Sequence, residues 1–267
     1  MYDIPKITLG RTGLVVTRLG IGGAYCDSVD GYRAALDCGV NYVDTARIYK
    51  DGKDEEVIGE AIQGQRDRLI LATKTTQRDA ENARKELETS LRLLRTEYID
   101  IYQLHHLNTQ PEREKAIGPG GAIETLQKAK EEGLIRFMGV TGHDWVQVKE
   151  AVATGLFDTV LCWYNCAMRE PENTVFLEAY ARNMGVIIMN ATRNDKLFNG
   201  PESPSPEQFY RYVLSHEAVH VTIMGLRDLE RFRQVASALS GRDTLTAEEK
   251  TQIEDYGKKM RSLGKLD

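Results

Sequence analysis

The feature that most constrains the fold is a regular alternation of short, β-branched apolar runs with amphipathic stretches of helical period. The candidate strands are residues 17–24, 42–46, 69–74, 99–105, 137–142, 159–164, 185–191 and 222–226. From the second to the eighth, their starts advance by 180 residues in six steps, an average of 30, which is about one βαβ unit. Eight such units in sequence predict an α/β fold of the (β/α)₈ TIM-barrel type.

Two segments fall outside the eight repeats. Residues 6–9 and 14–16 flank G-R-T-G and predict an N-terminal β-hairpin that covers the floor of the barrel. Residues 246–263 predict one extra C-terminal helix. The chain of 267 residues is close to the ~250 of a single barrel, and no Pro/Ser-rich linker divides it. We therefore interpret residues 1–267 as one domain.

Composition excludes several classes of partner. Lys and Arg total 35 against 40 Asp and Glu, and no basic block is present, so we expect no nucleic-acid partner. Asp3 and Lys6 interrupt the N-terminus, and nowhere do ~18 apolar residues run together, which argues against a signal peptide or a membrane span. Four scattered cysteines do not suggest a disulfide scaffold. A reducing cytoplasm is the expected location.

Reactive side chains lie at the carboxyl ends of the second, third and fourth predicted strands, where catalytic residues of such barrels are found. Asp44, Lys74 and His105 lie at these ends, and Tyr49 follows five residues after Asp44. Each alone has an ordinary structural explanation. Four proton-handling groups at neighbouring strand ends favour catalysis.

Together the four groups suit proton donation to a carbonyl oxygen. A phenol titrates near 10, and a close ammonium can lower that pKa by ~1–3 units. We expect Lys74 to act on Tyr49 in this way, Asp44 to keep Lys74 protonated and His105 to hydrogen-bond the substrate oxygen. General acid catalysis of this kind contributes ~10²–10⁴ in rate.

Several segments carry a family resemblance. N-Y-V-D-T-A-R-I-Y at 41–49, D-E-E-V-I-G-E-A-I at 54–62, L-A-T-K at 71–74 and D-I-Y-Q-L-H at 100–105 are similar to the aldo-keto reductase signature. The opening L-G-R-T-G-L-V-V-T-R-L-G-I-G at 9–22 also resembles that family. The resemblance covers nearly the whole chain.

The resemblance implies a barrel that binds an extended nicotinamide dinucleotide across its carboxyl end, with Tyr49 as acid/base. His106 is expected to point to the opposite face of its strand from His105. The expected cofactor-binding residues are Gly22, Gly23, Thr141, Asn190, Arg193, Leu197, Gly225, Arg227 and Arg231. Tyr25 and Trp163 are the expected apolar walls of the substrate site.

The chain departs from the family pattern at several cofactor positions. Thr141-Gly-His143 stands where Ser-Asn is frequent, Leu161 replaces a frequent Gln, and Gln234-Val235 replaces Glu-Asn. Arg231, with Arg227 or Arg193, retains the charge suited to a 2′-phosphate. We therefore expect NADP(H), bound in the micromolar range or weaker, with NAD(H) as the second possible cofactor.

Three short motifs imitate other chemistry. H-E-x-x-H at 216–220 would bind zinc only on a continuous helix, but residues 219–224 form a β-type run, so the helix should end near His216. G-x-G at 20–22 lacks the third glycine of the Rossmann fingerprint. Cys162 and Cys166 have too few partners for a metal centre and are interpreted as packing residues. No metal site is expected.

The leading hypothesis is an NADP(H)-dependent reductase that acts on small aldehydes or ketones, with Tyr49 as general acid. Two others remain open: a dinucleotide-binding regulatory barrel, and an isomerase or dehydratase that uses Tyr49 and Lys74 without redox chemistry. Oligomeric state and natural substrate are not determined by the sequence.

Overall fold

The computed structural model describes residues 1–264 and Leu266. In this part of the chain the strands are β1 (Lys6–Thr8), β2 (Val15–Thr17), β3 (Leu19–Gly22), β4 (Tyr42–Asp44), β5 (Ile70–Thr75), β6 (Ile99–Leu104), β7 (Ile135–Gly142), β8 (Thr159–Trp163), β9 (Gly185–Met189) and β10 (Val221–Gly225). The α-helices are α1 (Val29–Leu36), α2 (Lys53–Ala61), α3 (Ala80–Leu93), α4 (Gln110–Ile117), α5 (Ala122–Glu131), α6 (Trp145–Ala153), α7 (Val175–Ala181), α8 (Pro206–Leu214), α9 (Leu229–Gly241) and α10 (Ala247–Ser262).

Strands β3 to β10 form a closed barrel in chain order. All neighbours pair in parallel, and β10 closes the barrel against β3 with Gly225 opposite Gly22. These are the eight strands expected from the sequence, and their ends differ from the predicted ends by one or two residues. The predicted TIM barrel is confirmed. Because the strands are parallel, all their carboxyl ends meet at one end of the barrel.

The N-terminal hairpin closes the other end. β1 and β2 pair antiparallel, and Leu9 and Leu14 are buried against Tyr42, Ile101 and Leu161 inside the barrel. This hairpin therefore covers the barrel floor, as predicted.

A glycine in the hairpin turn permits this close fit. Gly10 has a positive φ of 48°, and a Cβ there would lie 2.5 Å from the backbone nitrogen of Gly185 at the start of β9. Only glycine combines that backbone conformation with so close an approach.

Helices separate the barrel strands. The connection between β6 and β7 contains two of them, α4 and α5, where the pattern predicted one. The extra C-terminal helix is present as α10; Thr246 caps it through a capping box with Glu249, and Ile253 and Met260 are buried in the core. None of the helices in the described residues is long and apolar enough to cross a membrane.

Candidate active site

The four predicted proton-transfer residues lie together at the carboxyl end of the barrel. Asp44 is the last residue of β4, Lys74 is the next-to-last residue of β5, and His105 directly follows β6. Tyr49 begins the 3₁₀ turn Tyr49–Gly52 after β4. Because β4, β5 and β6 are neighbours and parallel, residues separated by 30 positions or more in sequence meet in space.

A buried ion pair holds the ammonium of Lys74 beside the phenol. Lys74 and Asp44 are each 1% exposed. Lys74 Nζ lies 2.5 Å from Asp44 Oδ1, donates to the carbonyl of Thr45 at 2.6 Å and lies 5.0 Å from the centroid of the Tyr49 ring. Gln103 Nε2 donates to the other carboxylate oxygen of Asp44 at 2.9 Å. The carboxylate is thus held from both sides.

Gln103 was not identified from the sequence. In a strand, residues two apart share a face, so Gln103 lies on the same side of β6 as the position of His105. That alternation is the signal that could have found it.

The pKa of Tyr49 lies above its ordinary value of 10.0. Burial of the phenol raises this pKa, the ammonium of Lys74 lowers it and the carboxylate of Asp44 raises it further. The expectation that Lys74 brings the pKa of Tyr49 below its ordinary value is therefore wrong, because desolvation of the phenolate outweighs the nearby positive charge. At neutral pH the phenol carries the proton that a general acid must donate.

Lys74 remains charged despite its burial. Burial by itself lowers the pKa of the ammonium, but Asp44 and Tyr49 raise it, and the resulting pKa lies above its ordinary value of 10.5. The lysine is thus a permanent cation beside the phenol.

His105 is a neutral imidazole in this site. Burial and the charge of Lys74 hold its pKa far below the ordinary value of 6.5. Its ring meets the ring of Tyr49 edge to face at a centroid distance of 5.8 Å, and its buried Nδ1 has no hydrogen-bond partner among the described residues. A neutral imidazole next to the phenol can orient a carbonyl oxygen by hydrogen bonding without competing for the proton.

The predicted direction of the His106 side chain is wrong. β6 ends at Leu104, and His106 has a positive φ of 57°, so the alternation of a strand no longer applies. Its ring is tilted against that of His105 at a centroid distance of 3.8 Å and meets that of His143 edge to face at 4.6 Å. Instead of pointing to the opposite face, His106 lines the same cavity as His105.

An open cavity lies above these groups. The predicted residues that line it are Gly22, Gly23, Tyr25, Asp44, Tyr49, His105, Trp163, Asn190, Gly225, Arg227 and Arg231. Four predicted residues do not line it, namely Lys74, Thr141, Arg193 and Leu197. The ammonium of Lys74 is buried 5.0 Å from the centroid of the Tyr49 ring, and Leu197 is fully buried in the core.

The lining residues that were not predicted come mostly from the ends of β9 and β10 and from the segments that follow them. They are His106, His143, Met189, Ala191, Thr192, Asn194, Asp195, Tyr210, Ile223, Met224 and Asp228. Most of them lie at or just after a predicted strand end, which was the available signal. Tyr210 comes from α8 and carries no local signal.

Two observations fit the expected dinucleotide. A Cβ at Gly22 would meet its nearest neighbours only at 3.5 Å, so the protein itself would tolerate a side chain there, and its absence leaves room for a ligand. The buried hydroxyl of Thr141 lacks a partner among the described residues, as a group that waits for a carboxamide would. In contrast, a Cβ at Gly23 would overlap the carboxylate of Asp54, and one at Gly225 would overlap the ring of Tyr25.

The three expected phosphate-binding arginines differ in their surroundings. The guanidinium of Arg227 lies 4.1 Å from the centroid of the Tyr25 ring, and that of Arg193 lies 4.8 Å from the Trp163 ring. Arg231 is instead engaged in ion pairs with two carboxylates that also line the cavity.

The three motifs that resemble other functional sites, namely H-E-x-x-H, G-x-G and the pair Cys162 and Cys166, have structural roles. α8 ends at Leu214, before the H-E-x-x-H motif. His216 Nδ1 accepts from the backbone of Ala218, and His220 Nδ1 accepts from that of Val186. The predicted junction of helix and strand is therefore confirmed. The G-x-G segment belongs to a closed barrel, and Cys162 and Cys166 are buried as free thiols.

Comparison with known proteins agrees with this arrangement. A sequence model of the Aldo/keto reductase family matches residues 23–200. The uncharacterized oxidoreductase YqkF of Bacillus subtilis is 26% identical, over 95% of this chain and 96% of that protein. The NADH-specific methylglyoxal reductase of Escherichia coli is 25% identical, over 68% of this chain and 65% of that protein. An aldo-keto reductase from Klebsiella pneumoniae, solved in complex with NADPH, has a TM-score of 0.80 at 25% identity, covering 97% of this chain and 96% of that one.

Proposed function

The chain belongs to the aldo/keto reductase family and is an NAD(P)H-dependent oxidoreductase, and we propose that it reduces small aldehydes or ketones to alcohols with Tyr49 as the general acid. The observation that carries this proposal is the Asp44–Lys74 ion pair, buried beside a phenol and a neutral imidazole that both line the cavity. This group of residues supplies a proton, a fixed positive charge and a hydrogen bond at one place.

Each residue has a distinct role in carbonyl reduction. A dihydronicotinamide held at this site would supply the hydride for the carbonyl carbon. Tyr49 gives its proton to the carbonyl oxygen, and the ammonium of Lys74 stabilises the phenolate that remains. Asp44 keeps Lys74 charged and in place. His105, being neutral, orients the carbonyl oxygen toward the phenol.

The proposed cofactor site extends from Gly22 and Gly23 to the segments after β9 and β10. Gly225, Asn190, Arg227 and Arg231 line the cavity. Thr141 and Arg193 lie outside this lining; the free hydroxyl of Thr141 suits the nicotinamide carboxamide. Leu197 lies outside the proposed site, because its side chain is buried, its N–H donates to the carbonyl of Thr192 and its own carbonyl accepts from Tyr256 and Ser203.

The proposed substrates are small carbonyl compounds. Tyr25 and Trp163 line the cavity with His106 and His143, and the Trp163 ring already stacks on His143 at 4.3 Å. The walls next to Tyr49 are thus aromatic and uncharged at neutral pH. The name of the Escherichia coli relative, a methylglyoxal reductase, supports a small, activated carbonyl as a first substrate to assay. The free state of all four cysteines supports a location in the cytoplasm.

Replacement of Tyr49 by phenylalanine tests the proposal. We expect Tyr49→Phe to lower kcat for methylglyoxal reduction by ~10²–10⁴, the contribution of general acid catalysis, while the Kd for the reduced cofactor stays within about threefold. Tyr180→Phe is the matched control, because Tyr180 is 65% exposed and lies outside the cavity. Steady-state kinetics and calorimetric titration provide the two readouts.

If Tyr49→Phe kept a tenth of the wild-type kcat, the assignment of Tyr49 would be wrong. If the wild type bound the cofactor but turned over no aldehyde or ketone of a broad panel, a regulatory or non-redox role would replace carbonyl reduction.

A further inference from the structure

The ion pair between Asp195 and Arg231 has a consequence for the choice of cofactor. Granted the proposed function, we propose that Asp195 is a specificity-determining residue: by holding Arg231, it removes the preference for NADPH and lets the enzyme bind NADH at least as well. The sequence alone indicates the opposite preference, because it shows the charge of Arg231 but not the carboxylates that pair with it.

The geometry of Arg231 argues against a free guanidinium. Its Nη1 lies 3.0 Å from Asp195 Oδ2, and its Nη2 lies 3.8 Å from Asp228 Oδ2. The guanidinium also lies over the Phe198 ring, with Cζ 4.9 Å from the ring centroid. A phosphate that binds Arg231 would therefore compete with the hydrogen bond to Asp195 and meet the charge of a second carboxylate.

Asp195 is itself held in position. Thr192 Oγ1 donates to Asp195 Oδ1 at 3.1 Å and accepts from the backbone nitrogen of Asp195 at 3.3 Å. Arg193, Asn194 and Asp195 have φ values of 52°, 53° and 67°, a conformation that costs free energy for residues other than glycine. The loop keeps this conformation because side chains tie it down, and the carboxylate is presented to Arg231 as a result.

The positive and negative charges that line the cavity next to β9 and β10 are equal in number. Apart from Asp44, which pairs with Lys74, the charged residues that line the cavity are Arg227, Arg231, Asp195 and Asp228, two basic and two acidic side chains. A phosphate monoester brings a further charge of about −1.5 to −2 at neutral pH, which must displace a carboxylate from Arg231 or lie beside it. A free ribose 2′-hydroxyl can instead donate to a carboxylate, the arrangement by which dinucleotide sites favour NAD(H) over NADP(H).

Arg227 does not restore the preference. It has no ion-pair partner among the described residues, and it lies over Tyr25 rather than next to Asp195. A cation in this position can serve the pyrophosphate, which NADH and NADPH both contain. The difference between the two cofactors therefore depends on Arg231 and the carboxylates around it.

Calorimetric titration of NADH and of NADPH into the purified protein, without substrate, tests the proposal. We expect the wild type to bind NADPH no more tightly than NADH. Asp195→Asn should strengthen the binding of NADPH relative to that of NADH by about ten- to hundredfold, because it frees the guanidinium of Arg231 to bind a phosphate. Arg231→Ala should leave the ratio of the two Kd values within about threefold, and the double variant should lose the gain.

Glu230→Gln is the matched control. It removes one negative charge from α9, the helix that contains Arg231, and Glu230 pairs with Arg233 rather than with Arg231. We expect it to leave the ratio unchanged. If Asp195→Asn fails to fold, Arg231→Ala decides: an unchanged ratio supports the proposal, and a tenfold selective loss of NADPH overturns it.

The proposal is also overturned if the wild type binds NADPH at least ten times more tightly than NADH, or if folded Asp195→Asn leaves the ratio unchanged. These results would leave the proposed function intact. Failure of both cofactors to bind would contradict the proposed function, and this proposal with it.

Discussion

At the scale of single residues, burial decides the chemistry of the site. Tyr49, Lys74 and His105 are each largely surrounded by protein, and this desolvation favours the uncharged form of each group. Only Lys74 has a carboxylate at hydrogen-bonding distance, so it alone keeps its charge. A protonated phenol, an ammonium and a neutral imidazole follow from the same principle applied to three environments.

Removal of the buried ammonium should affect activity and stability differently. We expect Lys74→Met to lower kcat by ~10² or more and to reduce the free energy of unfolding by about 3–5 kcal/mol, because Asp44 remains buried without its partner. Lys74→Met/Asp44→Asn should recover part of the stability but none of the activity. Urea unfolding and steady-state kinetics on both variants measure this. Full activity in the double variant would contradict the role of Lys74.

The rate of reduction should depend little on pH near neutrality. Because the pKa of Tyr49 is raised, the phenol keeps its proton up to and above its ordinary pKa near 10. Because the pKa of His105 is lowered, the imidazole stays neutral well below its ordinary pKa near 6.5. We expect kcat for reduction at saturating substrate to be flat from about pH 6 to 9 and to fall only at higher pH. A decline below pH 7 with an apparent pKa near 6.5 would show that an imidazole must titrate.

At the scale of elements, a strained turn holds Tyr49 in place. Within Tyr49–Gly52, Lys50 and Asp51 have positive φ values of 51° and 53°. Arg47 bridges the turn to α2, donating to the carbonyl of Asp51 at 2.9 Å and pairing with Glu55. These two contacts of Arg47, to residues four and eight positions further along the chain, hold the conformation, so the position of the phenol does not depend on the intrinsic preference of the turn.

The C-terminal helix also depends on a close approach. In α10, a Cβ at Gly257 would overlap the backbone carbonyl of Cys166, which cannot move as a flexible side chain would. We expect Gly257→Ala to lower the free energy of unfolding by about 1–3 kcal/mol through overpacking. Gly241→Ala is the control, because a Cβ at that helical glycine meets nothing within 4 Å; it should be neutral or stabilising by up to about 1 kcal/mol. Equal unfolding midpoints for the two variants in urea would show that α10 adjusts without cost.

At the scale of the whole molecule, the two ends of the barrel have different tasks. The hairpin of β1 and β2 fills one end with buried leucines, and the loops at the other end surround the cavity. Positive φ values at residues other than glycine cluster at the second end, in the turn after β4 and the loop after β9. Stability and chemistry are therefore separated along the barrel axis, as is general for this fold.

Stability should fall in mild acid because of the histidines. The chain has five, and burial lowers the pKa of all of them, that of His143 to about 4. Below pH 6.5 the unfolded chain therefore binds more protons than the folded one, and the stability present above that pH is lost as pH falls. Each histidine contributes a slope of up to about 1.4 kcal/mol per pH unit.

We expect the urea midpoint to decrease steadily between about pH 7 and 5, above the range where most carboxylates titrate. His143→Phe, which keeps an aromatic ring beside Trp163, should make that decrease shallower. A midpoint that is constant or rises toward pH 5 would contradict the burial of neutral imidazoles.

The sequence by itself determined the barrel and the place of the catalytic group. Strand and helix periods depend on neighbouring residues, so all eight barrel strands were predicted to within two residues at either end. Parallel strands bring their carboxyl ends together whatever the details of packing, so Asp44, Lys74 and His105 could be placed at one end of the barrel from strand positions alone.

Only the tertiary structure decided the protonation of Tyr49, the direction of His106 and the state of Arg231. The first depends on desolvation by the whole surrounding protein. The second depends on a single backbone angle after the strand ends. The third depends on Asp195, which lies 36 residues before Arg231, in the loop after β9 rather than in α9. Burial and charge pairing are sums over long-range contacts that fall steeply with distance, and such sums cannot be obtained from local sequence patterns.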